Sequence, residues 1–384
     1  MNRAFFLLTI AAFFATILSG CGGLRIERTI IVRPGDVLCF GGSAARSSDY
    51  QISFPDSLRK EWEKDLAAGT GAGSPLMLDS MVLSGTLRGE LCALNVRNGK
   101  SLGSIKLDDA IPGSPVIDGN LVILPMSGGS ESVAAYNLND GRVFWRKAYG
   151  DVEMSLLLLR KRVYFGTLAG TAYCIERATG DVVWKYELPD NKMFDGFHAS
   201  PSANDSTIFF GCDNGSLYAL RAVDGTVRWH SKTVGPMMGG SALSNGAVIA
   251  TTINGKVAAF DELSGEVRWE RDLGSPVYAP PAVRSDTIIV GAIDGYVRAL
   301  SVSDGSELWR TNVEGPVDAG AVLAGDKAYI GTLKKRFCAL RIADGSVVWS
   351  RELDGRIKSP AVVGYNKVFV TTDEYTLFCF GGAE

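Results

Sequence analysis

The chain has 384 residues, with 39 Lys and Arg against 42 Asp and Glu, a net charge of −3. So even a balance leaves no basic stripe and excludes nucleic acid as an expected partner. Two histidines in the whole chain leave little for a His-based metal centre, and the length exceeds a typical single domain, as arrays that grow by adding units do.

The first segment is Met1-Asn2-Arg3 and then a mostly apolar run from Ala4 to Leu18. That run has the length of a signal-peptide core and is too short to span a membrane. It ends in Leu18-Ser19-Gly20-Cys21, which matches the lipobox of bacterial lipoproteins. An ordinary cleaved signal peptide with a chance cysteine is the alternative. On the lipobox reading residues 1–20 are removed, and Cys21 becomes the N-terminus and carries acyl chains. At about 0.8 kcal/mol per buried methylene, several chains hold a protein firmly on a membrane. Residues 21–57 are then expected to be the lipidated N-terminus and a tether. Ser43 to Ser53 is small and polar, as linkers are, and Thr29 to Phe40, with its Pro34-Gly35-Asp36 turn, reads as an accessory hairpin.

From there a beat sets in. Six tryptophans stand four residues after a glycine: Gly141/Trp145, Gly180/Trp184, Gly225/Trp229, Gly265/Trp269, Gly305/Trp309 and Gly345/Trp349. Successive glycines are 39, 45, 40, 40 and 40 residues apart, and an earlier unit at Asn98-Gly99 has Gly103 where the Trp should stand. Within a unit, four short runs rich in Val, Ile, Phe and Tyr are separated by Gly and Asp turns, with no helix-length pattern between them. Such runs predict strands, and Asp-Gly or Asn-Gly pairs such as Asp224-Gly225 and Asn254-Gly255 supply the positive φ of tight turns. One four-stranded antiparallel sheet per 40 residues is a propeller blade. The repeated Trp, on an outer strand, is expected to cover small residues of its neighbours and bury apolar area.

Counting outer strands gives Trp62, Gly103, Trp145, Trp184, Trp229, Trp269, Trp309 and Trp349, which predicts eight blades. The last run, Tyr375 to Phe380, has no outer strand after it, and the Trp62 run, Leu58 to Leu66, has no blade before it. Joining the two closes the ring and removes its open edges. The expected fold is therefore all-β, an eight-bladed propeller over residues 58–384.

The unit Ala343-Asp344-Gly345-Ser-Val-Val-Trp349 resembles the tryptophan-docking repeat of quinoprotein-like propellers, and the resemblance runs over residues 58 to 380. One branch, the quinoprotein alcohol and glucose dehydrogenases, holds pyrroloquinoline quinone and a calcium ion. The other is the BamB family of outer-membrane lipoproteins, which the lipobox favours. Membership of that branch implies a non-enzymatic scaffold, without cofactor, that helps insert β-barrels by contacts with a β-barrel insertion protein. It also implies a lipid anchor on the periplasmic side of the outer membrane and a monomer outside that complex. A lipid-anchored propeller binding another envelope protein or polymer is the second reading, and a quinoprotein dehydrogenase the remote third.

The residues offer no catalytic constellation and no metal ligand set. His198 and His230 lack ligand spacing, and Gly69 to Gly73 precedes no helix and reads as a turn. Cys92, Cys174, Cys338 and Cys379 recur at one repeat position in different blades, too far apart to bridge; with Cys39 and Cys212 they are expected to stay unpaired. Function then falls to loops. From Trp349 to Pro360 is 11 residues, but from Trp184 to Pro201 it is 17, and the extra residues fall in Leu188 to His198. There Met193, Phe194, Asp195 and Phe197, with Met237 and Met238 of the next connection, are the partner-binding candidates, rimmed by Asp190 and Lys192. Exposed Met and Phe in loops have the composition of an interface core; folded inward, the same side chains would plug the central channel.

Overall fold

The computed structural model describes residues 23–189, 195–232 and 235–382. Eight sheets form a ring, each with four antiparallel strands stepping from axis to rim. Blades 1 to 7 span 76–106, 116–147, 157–187, 202–232, 241–272, 282–312 and 322–352. The described residues contain strands and turns but no helix.

Blade 7 shows why each run lies where it does. Its inner strands, Val322–Ala324 and Lys327–Gly331, are wholly buried, while the outermost, Val347–Glu352, is half-exposed to exposed. Small and apolar residues therefore gather at the axis, and charged residues at the rim. Blade 8 closes the ring as expected. Its strands Val362–Gly364, Lys367–Thr371 and Thr376–Gly382 come from the C-terminal part, and its outer strand is Leu58–Asp65. That strand pairs antiparallel from Leu58↔Gly382 to Asp65↔Thr376, with a bulge between Lys60 and Trp62.

The Gly–Trp beat has a single geometric cause. Six of the seven Trp rings lie on the glycine of the following blade: Trp62 on Gly99, Trp145 on Gly180, Trp184 on Gly225, Trp229 on Gly265, Trp269 on Gly305 and Trp309 on Gly345. A Cβ on Gly305 would come within 2.5 Å of the Trp269 ring, and its φ is +71°, so both space and backbone require glycine. Each of these six indole N–H groups donates to a carbonyl of the same turn, for example Trp145 to Arg177 at 3.0 Å and Trp269 to Val302 at 2.7 Å. The tryptophans staple blade to blade.

Gly103, the exception, is explained by the N-terminal segment. Leu24 is buried against it, and a Cβ on Gly103 would meet the Leu24 backbone. The Leu24 N–H donates to Ser104 O at 2.9 Å, and Ile26 N–H to Asn139 O, in the next blade's turn, at 2.7 Å. Leu24 and Ile26 thus stand in for the missing indole between blades 1 and 2.

Residues 23–57 correct the expectation of a tether. They run across the ring, enter the central channel and leave beside blade 7. The innermost strand of each blade presents an unpaired edge to the channel, and six of these edges donate to this segment. Met77 N–H bonds Val37 O, Ile117 Leu38 O, Ala203 Ala44 O, Leu243 Ala45 O, Val283 Ser47 O and Leu323 Ser48 O, all at 2.8–3.0 Å. Asp49–Tyr50 continues as a short parallel strand on Leu323 and Ala324. Small residues are there because the backbone must approach the strand edges closely, not because the segment is a linker. The expected hairpin over Thr29–Phe40 reduces to its turn, closed by Asp36 N–H to Arg33 O, and to one bridge, Val37 to Met77.

Two charged groups lock the segment. The carboxylate of Asp79, fully buried, accepts from Arg33 Nε at 2.6 Å and pairs with Arg28. Arg46 is buried in the channel with φ +56°. Its guanidinium donates to Pro201 O at 3.0 Å, Leu156 O at 2.7 Å and Phe40 O, and lies over the Phe40 ring. Burial lowers its pKa, opposed by Cys39 and Tyr50. On third strands, Cys174 and Cys338 are buried and unpaired, and burial pushes their thiols up to about 12 and about 11.

Candidate partner-binding face

On the face opposite the segment's entry, each outermost strand connects to the next innermost one. Six of the eight connections share one construction. An apolar side chain turns inward between two blades: Ile111, Phe197, Met237, Val277, Val317 and Ile357, all at most 1% exposed. Its N–H donates to the preceding blade's turn, as Phe197 does to Thr167 O at 3.1 Å and Met237 to Cys212 O at 3.3 Å. The side chain fills the space over a glycine ending the second strand, Phe197 over Gly166 and Met237 over Gly211.

Phe197 and Met237 are therefore corrected from exposed contact residues to blade-junction packing. Phe197 also meets Phe210 at a tilt and Tyr218 edge-on. A signal for this was present, because positions 197, 237, 277, 317 and 357 are spaced by 40 and are all apolar.

After five of these inward side chains, the next residue lines the channel mouth. His198, Met238, Tyr278, Asp318 and Lys358, with Glu153, ring the opening. Met238 and Asp195 are half-buried; Met193 and Phe194, with Asp190 and Lys192, lie outside the described residues. The structure thus brings together a mixed polar rim that the sequence reading named only at Met238 and discounted at His198.

Its electrostatics are paired. His198 Nδ1 lies 2.5 Å from Asp213 Oδ2, and this hydrogen bond raises the imidazole pKa against the opposing effect of burial, with Glu153 adding to the rise. Asp318 is pushed up by burial, with Lys358 pulling the other way. Lys358 Nζ is 3.4 Å from Asp373, which also accepts from Arg356 Nε at 2.6 Å. Below the rim, Ser155 Oγ accepts the Ser114 N–H at 2.9 Å and Ser200 Oγ the Ser155 N–H at 3.1 Å. Those hydroxyls tie neighbouring blades together.

The channel floor is Phe40, so the mouth opens on a cavity of about 80 Å³. Small-molecule sites run to roughly 300–1,000 Å³. A tricyclic quinone cofactor does not fit this space, because the N-terminal segment occupies the channel beneath it. Among the described residues no cluster of three or more His, Cys, Asp or Glu side chains is arranged to hold a metal ion. The arrangement suits contact with another protein's side chains through a ring of mixed charge.

A family model described as outer membrane protein assembly factor BamB matches the chain over residues 55–193, 130–244, 213–305 and 293–381. A protein of that description from Legionella pneumophila (strain Paris) is 24% identical over 193 residues, 47% of this chain and 46% of its own length. The chain thus spans about half the length of that relative. In three dimensions it is similar to BamB from Moraxella catarrhalis, with a TM-score of 0.72, 18% identity and coverage of 85% of this chain and 100% of that one. It is also similar to a europium-containing methanol dehydrogenase, with a TM-score of 0.79, 12% identity and coverage of 91% and 98%. At such identities the two structural likenesses show the propeller fold alone.

Proposed function

This chain belongs to the family of the outer membrane protein assembly factor BamB, and from that membership we propose that it is a non-enzymatic scaffold assisting assembly and insertion of β-barrel proteins into the outer membrane. The observation that carries the reading is the family match, which runs through every blade. The lipobox at Cys21 supports a lipid anchor, and with it a place on the periplasmic side of the outer membrane. The contact surface of this reading is the channel-mouth face, with Met238, and with Asp195, Met193 and Phe194 as further candidates from the sequence; its partner is a β-barrel insertion protein met by a monomer of this chain. The filled channel favours a scaffold over a quinone enzyme.

The test is insertion itself. In vesicles carrying a barrel-insertion protein, adding the lipidated chain should raise the rate at which an unfolded β-barrel substrate becomes protease-resistant. An unchanged rate over a range of added chain would count against the scaffold reading and favour a lipid-anchored propeller serving another envelope partner.

A further inference from the structure

The described chain starts at the ring's perimeter. Gly23 bridges Ser104 on the outermost strand of blade 1, and Leu24 is buried between blades 1 and 2. Only Gly22 separates Cys21 from Gly23, and two residues of fully extended chain reach about 7 Å. With residues 23–57 built into the ring, no long tether remains between the candidate acylation site and the propeller.

We propose that the propeller stands edge-on, with the outer strands of blades 1 and 2 held against the lipid headgroups. The inference rests on the lipid-anchor reading of Cys21. The surface there suits an interface. Leu102 and Phe144 share one repeat position, three residues after the blade glycine, and both are exposed; Phe144 is the one exposed phenylalanine among the described residues. Lys100 and Lys106 are exposed at the ends of the Leu102 strand, and exposed apolar side chains beside lysines are what a headgroup layer takes up. Basic and exposed apolar residues also stand on the far side of the ring, at Arg228 and Arg268 of blades 4 and 5 and Leu308 of blade 6. The acyl attachment decides between the edges, because it reaches only the blade 1 side. In this posture the axis of the ring lies along the membrane. The channel-mouth face then looks sideways, toward a neighbour in the same membrane.

The test uses the full lipidated protein on vesicles of phosphatidylethanolamine and phosphatidylglycerol, with a fluorophore on Leu102→Cys or on Leu263→Cys in the exposed turn of blade 5. The unsubstituted protein, labelled alongside, gives the background from native thiols. The protein should float with the vesicles, and a headgroup-attached quencher should dim the Leu102→Cys label severalfold and leave the Leu263→Cys label bright. Inserting about twenty Gly and Ser residues after Gly22, with an r.m.s. reach of roughly 25 Å, should bring the two labels together. Equal quenching in floating protein without the spacer overturns the orientation and leaves the anchor standing. Failure to float overturns the anchor and the orientation with it.

Discussion

Trp229→Ala will lower stability by about 3–5 kcal/mol, the range for truncating a large buried aromatic. The ring is 8% exposed, packs on Phe209 with centroids 5.7 Å apart, lies on Gly265 and donates to Glu262 O at 3.2 Å. Its loss opens a cavity at the junction of blades 4 and 5 and leaves that carbonyl without its partner. Gly265→Ala attacks the same contact from the other side, since its Cβ would come within 2.5 Å of the ring at a φ of +76°. The double variant should be less damaged than the sum, because without the indole the new methyl has nothing to strike. A coupling of about 0.5–3 kcal/mol is the range for residues in contact. Urea unfolding measures all three; a Trp229→Ala loss below about 1 kcal/mol, or strict additivity, would contradict the stapling account.

Arg46→Met should destabilise the protein, since each buried carbonyl left without its donor costs about 1–3 kcal/mol. Methionine keeps much of the stem volume but donates to none of Pro201 O, Leu156 O and Phe40 O. Removing the buried charge relieves its own desolvation, yet three carbonyls stay in the channel without a donor, and the carbonyls decide the sign. Lysine is a poor substitute, because a point charge cannot fork to three acceptors. The damage has a place as well as a size. Amides of Ala203, Leu243, Val283 and Leu323, which bond the segment, should exchange with solvent faster, while amides between the third and outermost strands keep their protection. Unchanged exchange at those four positions would mean that the segment is held by something other than Arg46.

The fold was legible because the repeat speaks twice, in strand periodicity and in the Gly–Trp beat, and both answer to one contact. Even the closure through Trp62 could be read, as an outer strand with no blade of its own. The segment 23–57 differs from the expected tether for a physical reason. Ala44, Ala45, Ser47 and Ser48 are small because their backbone lies against strand edges, and small polar residues look the same in a linker. The missing Trp at Gly103 was visible, but its replacement by Leu24 depends on a contact far apart in sequence. The site was legible in part. The long connection after Trp184 and the exposed side of Met238 came from spacing and composition. Phe197 and Met237 have the residue types of an interface, but their place in the 40-residue comb is that of blade-junction packing. The ring of Glu153, His198, Asp318 and Lys358 gave no motif, since its members come together only around the axis.

Mild-detergent capture of the lipidated protein from native membranes, with Met238→Asp and Phe194→Asp as controls, tests the scaffold reading most directly. A β-barrel insertion protein should co-purify with the unsubstituted chain and be lost with either aspartate variant, while both variants keep the parent's unfolding midpoint. Recovery of an unrelated envelope complex, with the insertion protein left in the unbound fraction, would contradict the scaffold role.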